Sequence, residues 1–243
     1  YQNSTGTAGG PPTANTVFRI GANSYSNTFF YQGKIDNVRI YNYARTPAQI
    51  AYDYNKGAPI GWWKMDECQG ATIHNSAADP ATAGLGSTGT IVIGAGGSQV
   101  SLGTCSIGDT SAWSNGATGK INSAMSFDGT DDFAEITNIG SSSTTHTIGF
   151  WAYSRNSTSK GKYIFDIQTG RILVGWGSDT AGQIGVYDGT WRLFGNSPSA
   201  NTWHHVMFVL DGSTSKMRMY LNGKQYGSEL SYTPRTLGSN IIL

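Results

Sequence analysis

Two carboxylate side chains occupy strand positions that alternate in phase with apolar residues. Asp36 has this phase in the run 34–42, and Glu67 has it in the run 62–67. A face that carries apolar residues is expected to point inward, and an unpaired charge is costly to bury. Calcium, which takes about six to eight oxygen ligands, is one way to compensate such a charge. Hydrogen bonds from backbone amides, or pairing with a basic residue in the same run, are the alternative.

Aromatic residues make up 12% of the chain, including 7 Trp and 13 Tyr. Sugar binding uses aromatic faces beside a few hydrogen-bonding groups in a shallow site. The candidate ligand contacts lie beside predicted turns: Trp176, Tyr187, Asp188 and Trp191. Packing in the core or at a sheet edge is the alternative for any one of these rings. Three further tryptophans are expected in the core: Trp63, Trp151 and Trp203.

The sequence carries no motif that is typical of a catalytic centre or a zinc site. It has no Gly-x-Ser-x-Gly elbow, no phosphate-binding loop and no dinucleotide fingerprint. The adjacent His204 and His205 point to opposite faces of a predicted strand, and neither has a Cys, His or carboxylate at metal-ligand spacing. We therefore expect structural histidines and a chain without enzymatic activity.

The composition argues against several classes of partner. The formal net charge is +1 and no run of Lys or Arg occurs, whereas nucleic acids and anionic membranes bind clustered positive charge. No apolar stretch approaches the roughly 18–20 residues that span a bilayer. The two cysteines, Cys68 and Cys105, predict one disulfide and an oxidising compartment, with two buried thiols as the alternative. We expect a secreted, extracellular or cell-surface protein that neither binds nucleic acid nor inserts into a membrane.

Short β-prone runs bounded by Gly, Asn and Asp predict an all-β sandwich or barrel. Asn222-Gly223 joins two such runs, and this dipeptide is the strongest short-range signal for a hairpin. One short capped helix is predicted from Thr46, with Gly57 as its C-cap. The predicted strands are 17–20, 34–42, 62–65, 123–127, 134–137, 147–153, 163–167, 172–176, 183–187, 191–194, 204–210, 216–221 and 224–226.

Several segments together resemble the laminin-G-like domain, a jelly roll of the concanavalin A-like kind. The segment 33–46 and the helix after it resemble the end of that domain, and 61–70 resembles its opening strand. Further matches are the Phe-Asp-Gly turn, two central strands and a hairpin, at 126–133, 147–151, 203–206 and 217–223. The resemblance implies a two-sheet antiparallel jelly-roll sandwich with one short capped helix.

The resemblance also implies a structural calcium ion where the first and last strands of the domain meet. Its candidate ligands are Asp36, Asp66 and Glu67. A second acidic group offers another possible metal site, and a solvated Asp-rich turn is the alternative interpretation of it. That group consists of Asp128, Asp131 and Asp132.

The closing elements of the resembled domain precede its opening elements in this chain. Residues 1–58 resemble the end of one repeat, and residues 59–243 resemble the opening and central strands of the next repeat or of the same permuted domain. The chain is then a circular permutant, a unit of a tandem array, or a unit that lends 17–58 to a neighbour's sheet. We predict a non-catalytic extracellular structural or adhesive module, whose neighbouring copies assemble head-to-tail into a fibre or surface array. Calcium-supported carbohydrate binding, with glycans as partners, is the alternative.

Overall fold

The computed structural model of the chain describes residues 44, 59, 61–77, 88–106, 110–137, 143–167, 172–177, 180–236 and 240–242. The chain divides into two compact units, Tyr1–Asp53 and Tyr54–Leu243, and every element named below belongs to the second. The predicted strands 17–20 and 34–42, the capped helix that begins at Thr46, and Asp36 lie outside the described residues. The proposed division at residues 58 and 59 stays a prediction.

The described residues form strands and one short helix, α1 (Ala112–Asn115), which lies between the second and third strands. In chain order the strands are β1 (Thr72–Ile73), β2 (Gly89–Val92), β3 (Phe133–Thr137), β4 (His146–Tyr153), β5 (Lys162–Ile167), β6 (Ile172–Gly177), β7 (Gln183–Tyr187), β8 (Trp191–Asn196), β9 (Trp203–Asp211), β10 (Lys216–Leu221), β11 (Lys224–Ser231) and β12 (Asn240–Ile242).

These strands form two antiparallel sheets. One has eight strands in the order β1-β2-β3-β12-β5-β6-β7-β8, and the other has four in the order β11-β10-β9-β4. The predicted two-sheet antiparallel sandwich is therefore confirmed. Helix α1 is not the predicted capped helix, because that segment lies outside the described residues. Within the described part of the chain, no helix has the length and apolarity needed to cross a membrane.

The core lies between the sheets, and in β9 alternate residues point into it. On β9 the inward series includes Val206, Phe208 and Leu210, all fully buried. Ile184 and Val186 of β7 are also fully buried and belong to the same core. Each such side chain contributes about 1.5–3 kcal/mol by leaving water. The other series of β9 is left on the outer face of the four-stranded sheet.

The predicted Asn222-Gly223 hairpin is confirmed. It joins β10 to β11, with Leu221 paired to Lys224. Both turn residues have positive φ, 51° at Asn222 and 82° at Gly223. That conformation matches the right-handed twist of the flanking strands, and Asn and Gly adopt it with little strain.

The strand predictions at 62–65 and 123–127 are wrong. Trp63 forms only an isolated bridge to Asn75, and 123–127 has no strand pairing. Met65 and Cys68 have φ of 59° and 58°, so the chain turns where the alternation argument needs an extended strand. The shared face predicted for Trp63, Met65 and Glu67 therefore does not form as an alternating strand face.

The predicted Cys68–Cys105 disulfide is present, with 4.9 Å between the two Cα atoms. It links segment 61–77 to the loop that precedes α1. Nearby, the Trp113 indole N–H donates to the Gly70 carbonyl at 2.9 Å, and Trp113 is fully buried. The disulfide joins these two segments covalently, and the indole hydrogen bond ties α1 to segment 61–77.

Candidate functional site

An open groove of about 520 Å³ is lined by residues of β4 and β9, the β10–β11 turn and the loop after α1. We call it the aromatic groove. Its lining residues are Lys120, Trp151, Trp203, His205 and Asn222.

Two cross-strand pairs of rings lie side by side on β4 and β9, and three of their four rings line the aromatic groove. Trp151 lies opposite His205 in the β4–β9 register, and Tyr153 lies opposite Trp203. Their ring centroids are 5.1 and 5.7 Å apart. Such pairs contribute about 0.2–1 kcal/mol to a sheet. Trp151 and Tyr153 nevertheless stay 40% and 42% exposed, so the rings are held in place and remain open to a ligand.

Lys120 stands above the Trp151 ring, with Nζ 5.1 Å from the ring centroid. Asp66 holds the loop that carries this lysine. Its carboxylate accepts the Asn122 side-chain amide at 3.1 Å and the Ser123 backbone N–H at 3.3 Å. Asp66, a predicted calcium ligand, thus anchors one wall of the groove in this structure.

Asn222 is locked against β9 by three hydrogen bonds. Its side-chain Oδ1 accepts the His205 backbone N–H at 2.9 Å, and its backbone N–H donates to the His205 carbonyl at 2.8 Å. Its side-chain amide donates to His204 Nδ1 at 3.3 Å. Because His204 Nδ1 accepts, Nε2 carries the proton and donates to the Ser199 carbonyl at 3.1 Å. Buried His204 is thus a structural residue that fixes the turn beside the groove.

The structure does not bring the four predicted ligand contacts together. Trp176 is only 3% exposed and packs in the core, with its ring 6.0 Å from that of His204. Asp188 is fully buried and accepts the Arg192 guanidinium at 3.3 Å and the Thr233 backbone N–H at 2.7 Å. Burial corrects the interpretation of Trp176 and Asp188, because neither can reach a surface ligand.

Tyr187 and Trp191 belong to the eight-stranded sheet. They are direct partners across the β7–β8 hairpin, with ring centroids 5.7 Å apart. Trp191 also stacks against Tyr163 at 6.0 Å and 18°. These rings lie on a different sheet from the aromatic groove, and their role in ligand binding stays a prediction.

Glu67 lies beside Asp66 in the sequence and has different partners. Its Oε1 accepts the His74 backbone N–H at 2.8 Å, whereas Oε2 is buried without a hydrogen-bond partner. The predicted calcium set also needs Asp36, which lies outside the described residues. That set therefore stays a prediction.

The second acidic group forms a compact cluster, in which one ligand oxygen from each carboxylate lies within 4.8 Å of the others. Such a cluster can hold a metal ion, and oxygen is the ligand atom that calcium takes. The same carboxylates accept backbone N–H groups of the loop that follows β2. The bonds are Gly94 to Asp132 at 3.2 Å, Gly96 to Asp131 at 2.8 Å, and Ser98 and Gln99 to Asp128 at 2.7 and 3.1 Å.

These hydrogen bonds stabilise the ionised cluster. The backbone N–H of Gln99, followed by that of Thr130, lowers the pKa of Asp128 below its ordinary value. Gly94 approaches the cluster so closely that a Cβ there would overlap the Asp131 carboxylate. The carboxylates of the Asp-rich turn therefore stabilise the connection between β2 and β3 through these hydrogen bonds.

The sequence interpretation missed the residues of the aromatic groove. It assigned Trp151 and Trp203 to the core and His205 to a structural role. The available signal was the phase of β4, because Ile148 and Phe150 alternate with Trp151 and leave it on the opposite face. Lys120 had no such signal, since a loop carries it to the groove.

Comparison with known proteins gives one match to a family model and matches to several solved structures, including the following two. No curated protein matches the sequence. A solved structure described as a carbohydrate binding protein from Bacteroides ovatus has 14% identity and a TM-score of 0.34. The match covers 49% of this chain and 42% of that one, so the present chain spans less than half of its length.

A second solved structure is domain 4 of AbnA, an extracellular arabinanase from Geobacillus stearothermophilus, in complex with arabinotriose. Its identity is 18% and its TM-score 0.40, and the match covers 63% of this chain and 80% of that one. Both likenesses are too distant to support an argument about function. The family model described as the concanavalin A-like lectin/glucanases superfamily matches residues 1–51 and 128–242, which is more than half of the sequence. The chain therefore belongs to this laminin-G-like family of the concanavalin A-like lectin/glucanases superfamily.

Proposed function

We propose that the protein is a carbohydrate-binding module that holds a glycan in the aromatic groove. The observation that carries this proposal is the exposed ring of Trp151, set in an open groove beside the polar groups of Lys120, His205 and Asn222. The C–H face of a sugar packs on an aromatic ring, and a few polar groups then fix its orientation. The name of the superfamily, which includes lectins, agrees with this function.

The lining of the aromatic groove favours binding without hydrolysis. Glycosidases typically place two carboxylates about 5–9.5 Å apart across the scissile bond. No Asp or Glu is among the described residues that line this groove. The proposed module therefore retains its glycan unchanged.

Calcium is the proposed structural ion of this module. Asp128, Asp131 and Asp132 would hold it, because their oxygens converge and calcium prefers oxygen ligands. The ion would supply positive charge that ties the turn before β3 to the loop after β2. None of these three residues lines the aromatic groove, so its role would be to support the fold.

The proposed location is extracellular. The Cys68–Cys105 disulfide supports it, because disulfides persist mainly in oxidising compartments. A glycan-binding surface also suits a protein that meets polysaccharides outside the cell.

A glycan array followed by isothermal titration calorimetry tests the proposal. We expect Trp151→Ala to weaken binding at least about tenfold, a loss of about 1.4 kcal/mol. Trp191→Ala is the matched control, because it removes the same ring from the other sheet. Loss of affinity in the control alone would move the site to Tyr187 and Trp191, and the absence of any glycan ligand would refute the function.

Assembly into a fibre or array is the second candidate function. The order of the sequence motifs carries this proposal, because segments that resemble the end of the domain precede those that resemble its opening. Native mass determination with negative-stain microscopy tests it. Ordered filaments with one chain per repeat are expected, and a monomer of 25.9 kDa at high concentration would count against it.

A further inference from the structure

We propose that the glycan held in the aromatic groove is anionic, with a carboxylate or a sulfate ester on the sugar ring that meets Trp151. This inference rests on the proposed function and names the class of its ligand. The argument comes from the hydrogen-bonding groups of the groove and from the charge of Lys120.

The Lys120 ammonium group lies over an aromatic ring and has no carboxylate within ion-pair distance among the described residues. Its Nζ stands over the Trp151 ring, and within the described part of the chain it forms no ion pair or hydrogen bond. Cation–π attraction holds such a group near the ring without neutralising its charge. A sugar that packs on Trp151 therefore meets an uncompensated positive charge at its edge.

The other side chains of the groove mostly offer donors. Trp151 and Trp203 each carry an indole N–H that no described group accepts. The side-chain carbonyl of Asn222 accepts the His205 backbone N–H and keeps one lone pair for a ligand. Among the described lining residues, the side-chain acceptors are this carbonyl and the neutral imidazole of His205, and neither carries a negative charge.

This balance of groups fits an anion better than a neutral sugar. Each hydroxyl of a neutral sugar donates as well as accepts, so a site for neutral sugars gains from carboxylates and free carbonyls. A carboxylate or sulfate only accepts, and charge-assisted hydrogen bonds to an ammonium are the stronger kind. No Asp or Glu in the described lining would repel it.

Hydrogen bonds hold the loop that carries Lys120 in place beside Trp151. Lys120 is therefore the residue that would determine specificity for an anionic sugar. Gly119 N–H donates to the Asn122 carbonyl at 2.8 Å and closes the loop around the lysine. Asp66 then fixes Asn122 and Ser123 through its carboxylate. The oxygens of Asp66 are thus engaged by the loop itself, and the ammonium of Lys120 is left for the ligand.

The test compares ligands that differ only in charge. Oligogalacturonate and its methyl ester share one backbone, and dextran sulfate and dextran form a second pair. We expect one anionic member to bind at least about threefold tighter than its neutral partner at low salt, within the range of an exposed ion pair. The preference should shrink as salt rises, because salt screens exposed charges.

Lys120→Gln removes the charge and nearly keeps the length of the side chain. It should bring the charged and neutral members of the preferred pair to within about twofold, because the charged member loses more affinity than the neutral one. Lys160→Gln is the control, since Lys160 is an exposed lysine in the β4–β5 loop that does not line the groove. The control should keep the preference.

The outcomes separate this inference from the proposed function. Preference for the carboxylated or the sulfated pair identifies the source of the anion. Equal binding of neutral and anionic members, unchanged in Lys120→Gln, overturns the inference and leaves the binding function intact. If none of these glycans and none on a broad neutral array binds, the proposed function fails and the inference fails with it.

Discussion

The two faces of the four-stranded sheet carry similar residues in different surroundings. On the inner face, Phe150 and Phe208 lie 6.5 Å apart, ring to ring, within the core between the sheets. On the outer face, Trp151 and His205 lie 5.1 Å apart and border the aromatic groove. The strands are the same, and adjacent residues along each strand supply the two faces.

The difference shows how one pair of strands serves two purposes. The inward Phe208 ring is fully buried and Phe150 is partly buried against the core, and this burial stabilises the sandwich. The outward Trp151 ring stays 40% exposed, with Lys120 standing over it. Aromatic content alone therefore says little about binding, and the phase of each ring in its strand decides its role.

The largest effect is expected from an inward residue of β9. Phe208→Ala should lower the free energy of unfolding by about 3–5 kcal/mol, because it leaves a cavity in a packed core. Its outward neighbour Met207 is the control, and Met207→Ala should cost less than about 1 kcal/mol. Urea denaturation measures both. Equal losses for the two variants would contradict the assignment of the faces.

The Cys68–Cys105 disulfide is expected to affect both the stability of the fold and the aromatic groove. Replacing Cys68 and Cys105 by Ser should cost about 3–4 kcal/mol, as expected for closure of a loop with a sequence separation of 37. It should also weaken glycan binding, because Asp66, which holds the loop of Lys120, lies two residues from Cys68. Urea denaturation and calorimetry of the double variant give the two quantities. Unchanged affinity in a folded double variant would show that Asp66 holds the loop without the disulfide.

Substitutions at Asn222 distinguish the contribution of the turn's backbone conformation from that of the Asn222 side chain. Asn222→Gly keeps the positive φ that the turn needs and the backbone bond to the His205 carbonyl. It removes the side-chain bonds to His204 Nδ1 and to the His205 backbone N–H. We expect the free energy of unfolding to fall by about 1–2 kcal/mol. Glycan affinity should fall by a larger fraction of its parent value than stability does. Asn222→Ala should be less stable than Asn222→Gly because φ is positive. An affinity unchanged in Asn222→Gly would exclude a positioning role for this side chain.

Much of the fold could be predicted from local patterns. Strands β6, β7 and β10 follow alternation or apolar runs, and the Asn222-Gly223 turn follows from the φ that those two residues tolerate. The strand predictions at 62–65 and 123–127 were wrong because side-chain hydrogen bonds and residues with positive φ override β propensity there. Asp66 and Ser123 are 57 positions apart, and local patterns do not show that they meet.

The site was harder to predict than the fold for the same reason. Trp151 carries a detectable signal, because it falls out of phase with Phe150 in a strand that packs on one side only. Lys120 reaches the groove because its loop is held by a hydrogen bond between Asp66 and Asn122. Asp66 is distant from Lys120 in the sequence, and Asn122 has a positive φ, so local patterns do not show this contact. Trp176 and Asp188 looked suitable beside predicted turns, and only the packing of the second sheet reveals their burial.

The smallest effect concerns Asp211, at the end of the outward series of β9. Bonds from the hydroxyl and backbone N–H of Ser213 and from the N–H of Thr214 lower the pKa of Asp211 from 3.8 to about 2. A lowered folded pKa means that the carboxylate stabilises the protein above pH 3.8, and that this contribution is lost as the pH falls through about 2. Asp211→Asn should therefore be slightly less stable than the parent at pH 6, and the two should converge near pH 2. Urea denaturation between these values measures the gap, and a gap independent of pH would mean that the turn is held by its backbone alone.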